Sequence, residues 1–279
     1  MDIVTTSADL AALPRVGTRA VVMTMGALHE GHLALTRRAA ELADQVVVTI
    51  FVNPLQFNDP ADLEKYPRDV ERDVALLSDA GVDVLYVPDV EDVYPGGTPI
   101  VTVSAGPLGA VFEGEYRPGH FDGVLTVVLK LMNLTGPDVA LFGQKDAQQL
   151  IAIRTMVRDL NVPVEVLGVP TVRGVDGLAL SSRNQHLSEA DHVNALALIK
   201  ALKAADAVAT SGADVPATLA AGLEILANAP GVHLDYFAAL DPGSAQPVPS
   251  DYRGEVVIAV AARVGSTRLI DNVTTRIGV

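Results

Sequence analysis

A chain of 279 residues, 49% hydrophobic and 19% charged, has the material for one large or two modest domains with a buried core. Its formal net charge of −14 excludes a general nucleic-acid binder, which needs a basic face, while leaving room for a local basic pocket. The absence of Cys excludes disulfides, thiolate zinc sites and a cysteine nucleophile, and is compatible with the cytoplasm. Aromatic residues make up only 4%, so the core is expected to be built from aliphatic layers. The start, Met1-Asp2-Ile3-Val4-Thr5, lacks a basic region followed by an apolar run, so no signal peptide is expected. No apolar stretch approaches the roughly 20 residues of a membrane helix. The expectation is a soluble, cytoplasmic protein with no membrane partner.

In chain order, Ala20–Met25 reads as a buried strand and Leu33–Ala43 as the helix after it. Val46–Asn53 is a second strand, rich in β-branched residues. A helix over Asp69–Ala80 ends at Gly81 as a C-cap, and Val82–Val87 is the next strand. An irregular stretch through Gly109 precedes a helical segment, Gly123–Leu134. Val139–Gly143 is a strand, Ala147–Leu160 a helix and Val164–Val169 a strand. This alternation predicts an α/β domain with a Rossmann-like parallel sheet covered on both faces, whose ligands bind at the carboxyl ends of its strands. Beyond a boundary at Arg173–Gly174 the pattern changes. Helices over Glu189–Thr210 and Val215–Ala229, then strands over Leu234–Ala239 and Glu255–Val264, predict a smaller α+β domain from 174 to 279.

Chemistry-bearing residues cluster at the predicted strand ends. In Met23-Thr24-Met25-Gly26-Ala27-Leu28-His29-Glu30-Gly31-His32, the pair His29 and His32 stands where a strand turns into a helix. A helix N-terminus offers unpaired N–H groups and a positive dipole end, which favour a phosphate. Imidazoles add donors, and Gly31 lets a ligand approach the backbone. A helix cap with a turn glycine would account for the tetrapeptide alone, and a zinc site lacks a third ligand nearby. Phe142-Gly143-Gln144-Lys145-Asp146-Ala147-Gln148-Gln149 also follows a strand. There Lys145 is a point charge suited to phosphate, Asp146 can cap the next helix, and Gln149 lies one turn further on. In Leu180-Ser181-Ser182-Arg183-Asn184, two hydroxyls and a guanidinium can grip a polyphosphate, or simply form a polar loop before the next helix. Finally, Asn53 and Gln56 in Phe51-Val52-Asn53-Pro54-Leu55-Gln56-Phe57-Asn58 are neutral hydrogen-bonders around a rigid Pro turn.

Together these segments resemble the pantothenate synthetase family of the nucleotidylyltransferase superfamily. Glu64-Lys65-Tyr66-Pro67-Arg68, Phe112-Glu113-Gly114, Arg117-Pro118-Gly119-His120-Phe121 and Gly123-Val124-Leu125-Thr126-Val127-Val128 extend the match. The resemblance runs from Thr24 to about Leu187 and continues weakly beyond. It implies that ATP and magnesium drive the joining of (R)-pantoate to β-alanine, releasing AMP and pyrophosphate. It also implies a second domain that closes on the nucleotide, and a homodimer. Carried over by motif, Met25 through His32, Gly143 to Asp146, Val172 and Leu180 to Arg183 contact ATP, with His32 as the suggested proton donor. Gln56 and Gln149, with Asn53 and Tyr66, hold pantoate and β-alanine. Where some members carry adjacent carboxylates and a Gln associated with metal, this chain has Arg72-Asp73 and Leu76, leaving Asp73 as the one metal candidate.

The implied chemistry needs no general base in its first step, because the pantoate carboxylate is already ionised when it attacks the α-phosphorus. Charge repulsion is the obstacle, which Lys145, Arg183, His29, His32 and magnesium answer. Two other functions share parts of the pattern. A nucleotidylyltransferase acting on a phosphate ester calls for a second basic cluster in place of paired glutamines. A nucleotide sensor has no use for Lys145, Gln149 and Arg183 together.

Overall fold

The structure, a computed structural model, describes residues 1–58 and 60–278, except the side chain of Asp62. It divides into two compact units, one of Met1–Gln144 with Ala152–Pro170, the other of Lys145–Ile151 with the chain from Thr171 onward. The division after Pro170 falls three residues before the expected boundary at 173/174, and Lys145 to Ile151 group with the later residues.

The elements run β1 (Asp2–Val4), α1 (Ser7–Ala12), β2 (Arg19–Thr24), α2 (Glu30–Leu42), β3 (Gln45–Ile50), α3 (Pro60–Lys65), α4 (Val70–Ser78), β4 (Val84–Tyr86) and α5 (Val90–Val93). There follow α6 (Glu113–Tyr116), α7 (His120–Thr135), β5 (Val139–Gly143), α8 (Ala147–Asp159) and β6 (Glu165–Val169). The first unit holds a six-stranded sheet in the order β1-β4-β3-β2-β5-β6, every pair parallel. Apolar runs such as Val46-Val47-Val48 are buried on both faces, as a sheet flanked by helices requires. On one face Ala20, Val22, Val46 and Val48 pack with Leu35 and Ala39 of α2 and Leu77 of α4.

Strand order turns at β2, which lies between β3 and β5. The chain leaves β2 toward one edge through β3 and β4, then returns to build β5 and β6 on the other side. At such a reversal the connections at the carboxyl ends diverge and open a crevice. The turn carrying His29 and His32 leaves β2 at that end.

The later unit contains α9 (Glu189–Thr210), α10 (Val215–Ala227), β7 (Val232–Leu240), β8 (Gly254–Val264) and β9 (Thr267–Ile277). Its antiparallel sheet has the order β7-β8-β9. Alternate residues of β8, from Val256 through Ile258, Val260 and Ala262 to Val264, join Leu198, Leu202 and Ala205 of α9 in one core. The expected α+β character is observed, with β9 as a strand the sequence reading did not assign. Gly265 (φ +57) and Ser266 join β8 to β9 in a two-residue hairpin, Val264 pairing with Thr267.

Candidate active site

The turn after β2 has a left-handed backbone at Gly26 (φ +81) and at Ala27 (φ +51), the latter uncommon for a residue with a Cβ. It is held from outside. Asp73 of α4, 1% exposed, accepts the N–H of Ala27 at Oδ2 (2.9 Å) and that of Leu28 at Oδ1 (2.8 Å). Thr24 accepts the N–H of Gly26 at 3.2 Å. A Cβ on Gly26 would lie 3.0 Å from Asp73 Oδ2, so glycine meets both the dihedral and the close approach.

Helix α2 begins at Glu30, so His32 sits inside its first turn rather than ahead of it. His29 is the N-cap, its Nδ1 accepting the N–H of Gly31 at 3.1 Å. His32 reaches back, its Nδ1 accepting the N–H of His29 at 3.3 Å. Main-chain nitrogens only donate, so both Nδ1 atoms are acceptors and each neutral ring carries its proton on Nε2. The ring centroids are 4.2 Å apart. Gly31 has a further cause here: a Cβ would stand 2.8 Å from Cε1 of His29 and prevent that ring from folding over the helix end. Helix capping and the phosphate-suited donor pair are thus one arrangement.

At the carboxyl end of β3, Asn53 caps the short 3₁₀ turn Pro54–Gln56. Asn53, expected at the substrate, is tied into the protein. The residue is 1% exposed and its amide is engaged by Tyr94, Leu55, Gly123 and Gln56. Gln56 itself is 9% exposed, with Nε2 3.0 Å from Sδ of Met25. Tyr66 stands edge-on to Phe57, ring centroids 5.7 Å apart.

In the later unit, the N–H of Leu180 donates to the carbonyl of Val172 at 2.9 Å, pairing two residues expected at the nucleotide. Ser181 caps the 3₁₀ turn Ser182–His186 by accepting the N–H of Arg183 at 3.3 Å. A concavity there is lined by Lys145, Ser181, Arg183, Arg268 and Asp271. Arg268 is matched by Asp235 at 2.7 Å, and Arg173 grips Asp271 through bonds of 2.6 and 2.9 Å. Among the described residues, the ammonium of Lys145 and the guanidinium of Arg183 have no such carboxylate. The concavity therefore carries unmatched positive charge in an acidic chain, as an anion site requires. The carbonyl of Lys145 is fixed by Nδ2 of Asn272 at 2.8 Å, and Gln149 lies on the first turn of α8. Arg268, Asp271 and Asn272 escaped the sequence reading because they lie on β9.

Among the described residues, none build a cage for magnesium. Both oxygens of Asp73, the one candidate ligand, already accept main-chain N–H groups. Among the described residues no three His, Asp or Glu side chains gather to hold a metal ion.

The family model described as pantoate-beta-alanine ligase matches residues 2–274 of the chain. The chain is 49% identical to the pantothenate synthetase of Streptomyces coelicolor, covering 98% of itself and 95% of that protein. Among solved structures, the pantothenate synthetase of Thermus thermophilus matches with a TM-score of 0.92 at 51% identity, over 98% of this chain and 99% of that one. The pantoate-beta-alanine ligase of Francisella tularensis, solved with beta-gamma ATP and beta-alanine, matches with a TM-score of 0.79 at 33% identity, over 98% and 97% of the two chains.

Proposed function

This chain belongs to the pantoate–beta-alanine ligase family, whose reaction is the ATP-dependent condensation of pantoate with β-alanine, and we propose that it proceeds through a pantoyl adenylate. The reading draws most on the His29–His32 pair, whose Nδ1 atoms are both committed to main-chain N–H groups. Two preset Nε2–H donors at a helix N-terminus suit phosphate oxygens whose charge grows as a bond to the α-phosphorus breaks.

In the first step the pantoate carboxylate attacks the α-phosphorus of ATP in line and pyrophosphate leaves. The oxygen is already anionic, so the protein's task is to lower repulsion and to align the reactants. Lys145 and Arg183 supply positive charge, and His29 and His32 supply neutral donors, His32 giving the departing group a hydrogen bond while its ring keeps the proton. Met25, Gly26, Gly143, Gln144, Asp146, Val172, Leu180, Ser181 and Ser182 complete the nucleotide contacts. Gln56, Gln149 and Tyr66 hold the acid and the amine. In the second step the amine of β-alanine attacks the activated carbonyl and AMP departs. That amine reacts as the free base, its ammonium having a pKa near about 10 in water.

Magnesium would enter with the ATP phosphates and would supply positive charge against them, with no step assigned to a protein ligand. The beta-gamma ATP and beta-alanine bound by the Francisella relative support ATP and β-alanine as substrates here. A homodimer in the cytoplasm, with the domain boundary at 173/174, completes the proposal. The test is product analysis: with ATP, pantoate and β-alanine the enzyme should yield AMP, pyrophosphate and pantothenate. ADP and orthophosphate in their place would refute the adenylate route.

A further inference from the structure

We propose that Asn53 and Tyr94 are positioning residues that lock the Gln56 amide with its NH2 group toward the acid, so this point of the site accepts a carboxylate oxygen and rejects a donor. The inference rests on the reading of Gln56 as a contact to the acid, and deepens it.

The argument starts from main-chain groups, which cannot exchange donor for acceptor. The N–H of Leu55 donates to Oδ1 of Asn53 at 3.3 Å, and Nδ2 of Asn53 donates to the carbonyl of Gly123 at 3.2 Å. These two contacts decide which end of the Asn53 amide is oxygen. Tyr94 adds its hydroxyl proton to the same Oδ1 at 2.9 Å. Burial pushes the Tyr94 phenol up, so it remains a donor at any ordinary pH. The second proton on Nδ2 of Asn53 then points to Gln56 at 3.0 Å.

Only an oxygen can receive that proton. Gln56 must turn Oε1 toward Asn53, which leaves Nε2 on the far side, 3.0 Å from Sδ of Met25. A thioether is a weak acceptor that a carboxylate oxygen displaces readily. Asn53 meanwhile has both N–H protons and both lone pairs of its oxygen in use, which suits it to hold Gln56 in place.

The main chain beneath is fixed with equal care. Arg117, which can only donate, lies 2.9 Å from Nε2 of His120, so the proton of that ring is on Nδ1 and goes to the carbonyl of Gln56 at 2.9 Å. A Cβ on Gly123 would stand 2.4 Å from the carbonyl oxygen of Leu55, so glycine is what lets α7 approach this turn. At 9% exposure for Gln56 and 3% for Tyr94, water is a poor substitute for any missing partner.

The experiment compares Asn53→Asp, Tyr94→Phe and Gln56→Ala, each checked by thermal melting. The carboxylate introduced by Asn53→Asp can only accept, so Gln56 should reverse and present Oε1 outward. The KM for pantoate should rise by about tenfold or more, while the Kd for ATP and kcat at saturating pantoate change little. Pantoamide, the primary amide of the acid, should inhibit this variant better relative to pantoate than it inhibits the wild type. Tyr94→Phe should raise the KM for pantoate by about threefold. If Gln56→Ala binds pantoate normally, the acid-site reading falls. If Gln56→Ala loses pantoate while Asn53→Asp keeps the wild-type KM and selectivity, the relay alone falls. Should Asn53→Asp fail to fold, an unchanged KM in Tyr94→Phe overturns it.

Discussion

Oδ1 of Asp73 accepts the main-chain N–H of Leu28 at 2.8 Å, across 45 residues of sequence. Its partner oxygen takes the N–H of Ala27 at 2.9 Å, so one buried carboxylate holds two consecutive amides of a left-handed turn. The conformation is costly for Ala27, and the charge-assisted bonds offset that cost. The same turn sets where α2 begins, and therefore where His29 and His32 point.

Asp73→Asn puts a donor against one of those two N–H groups. Stability should fall by about 2 kcal/mol, since a hydrogen bond to a charged group is worth that order. Amide exchange at Ala27 and Leu28 should accelerate, and adenylation should slow by about tenfold or more. Raising magnesium should not restore the rate, because the carboxylate serves the main chain. Recovery at high magnesium would instead assign Asp73 to the metal.

His32→Ala is expected to lower adenylation by about a hundredfold or more, the scale of losing one preset donor to developing charge. His29→Ala should add a stability loss of about 1 kcal/mol, because it also removes the N-cap of α2. A folded His32→Ala enzyme with normal turnover would mean that the turn is not the reactive centre.

Much of this was legible in the sequence because the signals are local. The strand Val139–Gly143 and the helix Glu189–Thr210 lie where periodicity and caps put them. Periodicity puts the start of α2 three residues late, since histidine is an unusual cap and Gly31 interrupts a helical pattern. The last strand escapes periodicity because Arg268, Asp271, Asn272 and Arg276 break its apolar pattern, although Gly265-Ser266 is a hairpin signal. What no local pattern carries is pairing at long range. Asp73 reads as a lone metal candidate until Ala27 and Leu28 are seen against it, and nothing near Asn53 in sequence announces its bond from Tyr94.

Substitutions at neutral and charged positions should separate the two substrates. Gln149→Ala and Gln56→Ala are expected to weaken pantoate binding by about 1–3 kcal/mol each while leaving ATP affinity nearly intact. Lys145→Ala and Arg183→Ala should do the reverse, weakening ATP and slowing its use, because these cations have no carboxylate to neutralise them among the described residues of the free protein. Titration calorimetry with each substrate distinguishes the sets. Equal losses for both ligands at the glutamines would count against their assignment.

The order of events offers the sharpest discrimination. If the acid is activated before the amine arrives, pantoate alone should make the enzyme exchange labelled pyrophosphate into ATP with no β-alanine present. The first step is then reversible on the enzyme, and the donors of His29 and His32 with the charges of Lys145 and Arg183 stabilise the same transition state in both directions. Oxygen bookkeeping gives an independent reading. The attacking carboxylate oxygen becomes the bridge between acyl carbon and phosphorus, and it leaves with AMP when the amine takes its place. Pantoate carrying heavy oxygen at both carboxyl positions should therefore give AMP with one labelled oxygen and an amide carbonyl with the other. Label missing from AMP, or exchange that requires β-alanine, would mean that the carboxylate does not attack the α-phosphorus in a separate first step. Lys145 and Arg183 would then need another role than offsetting the charge of that attack.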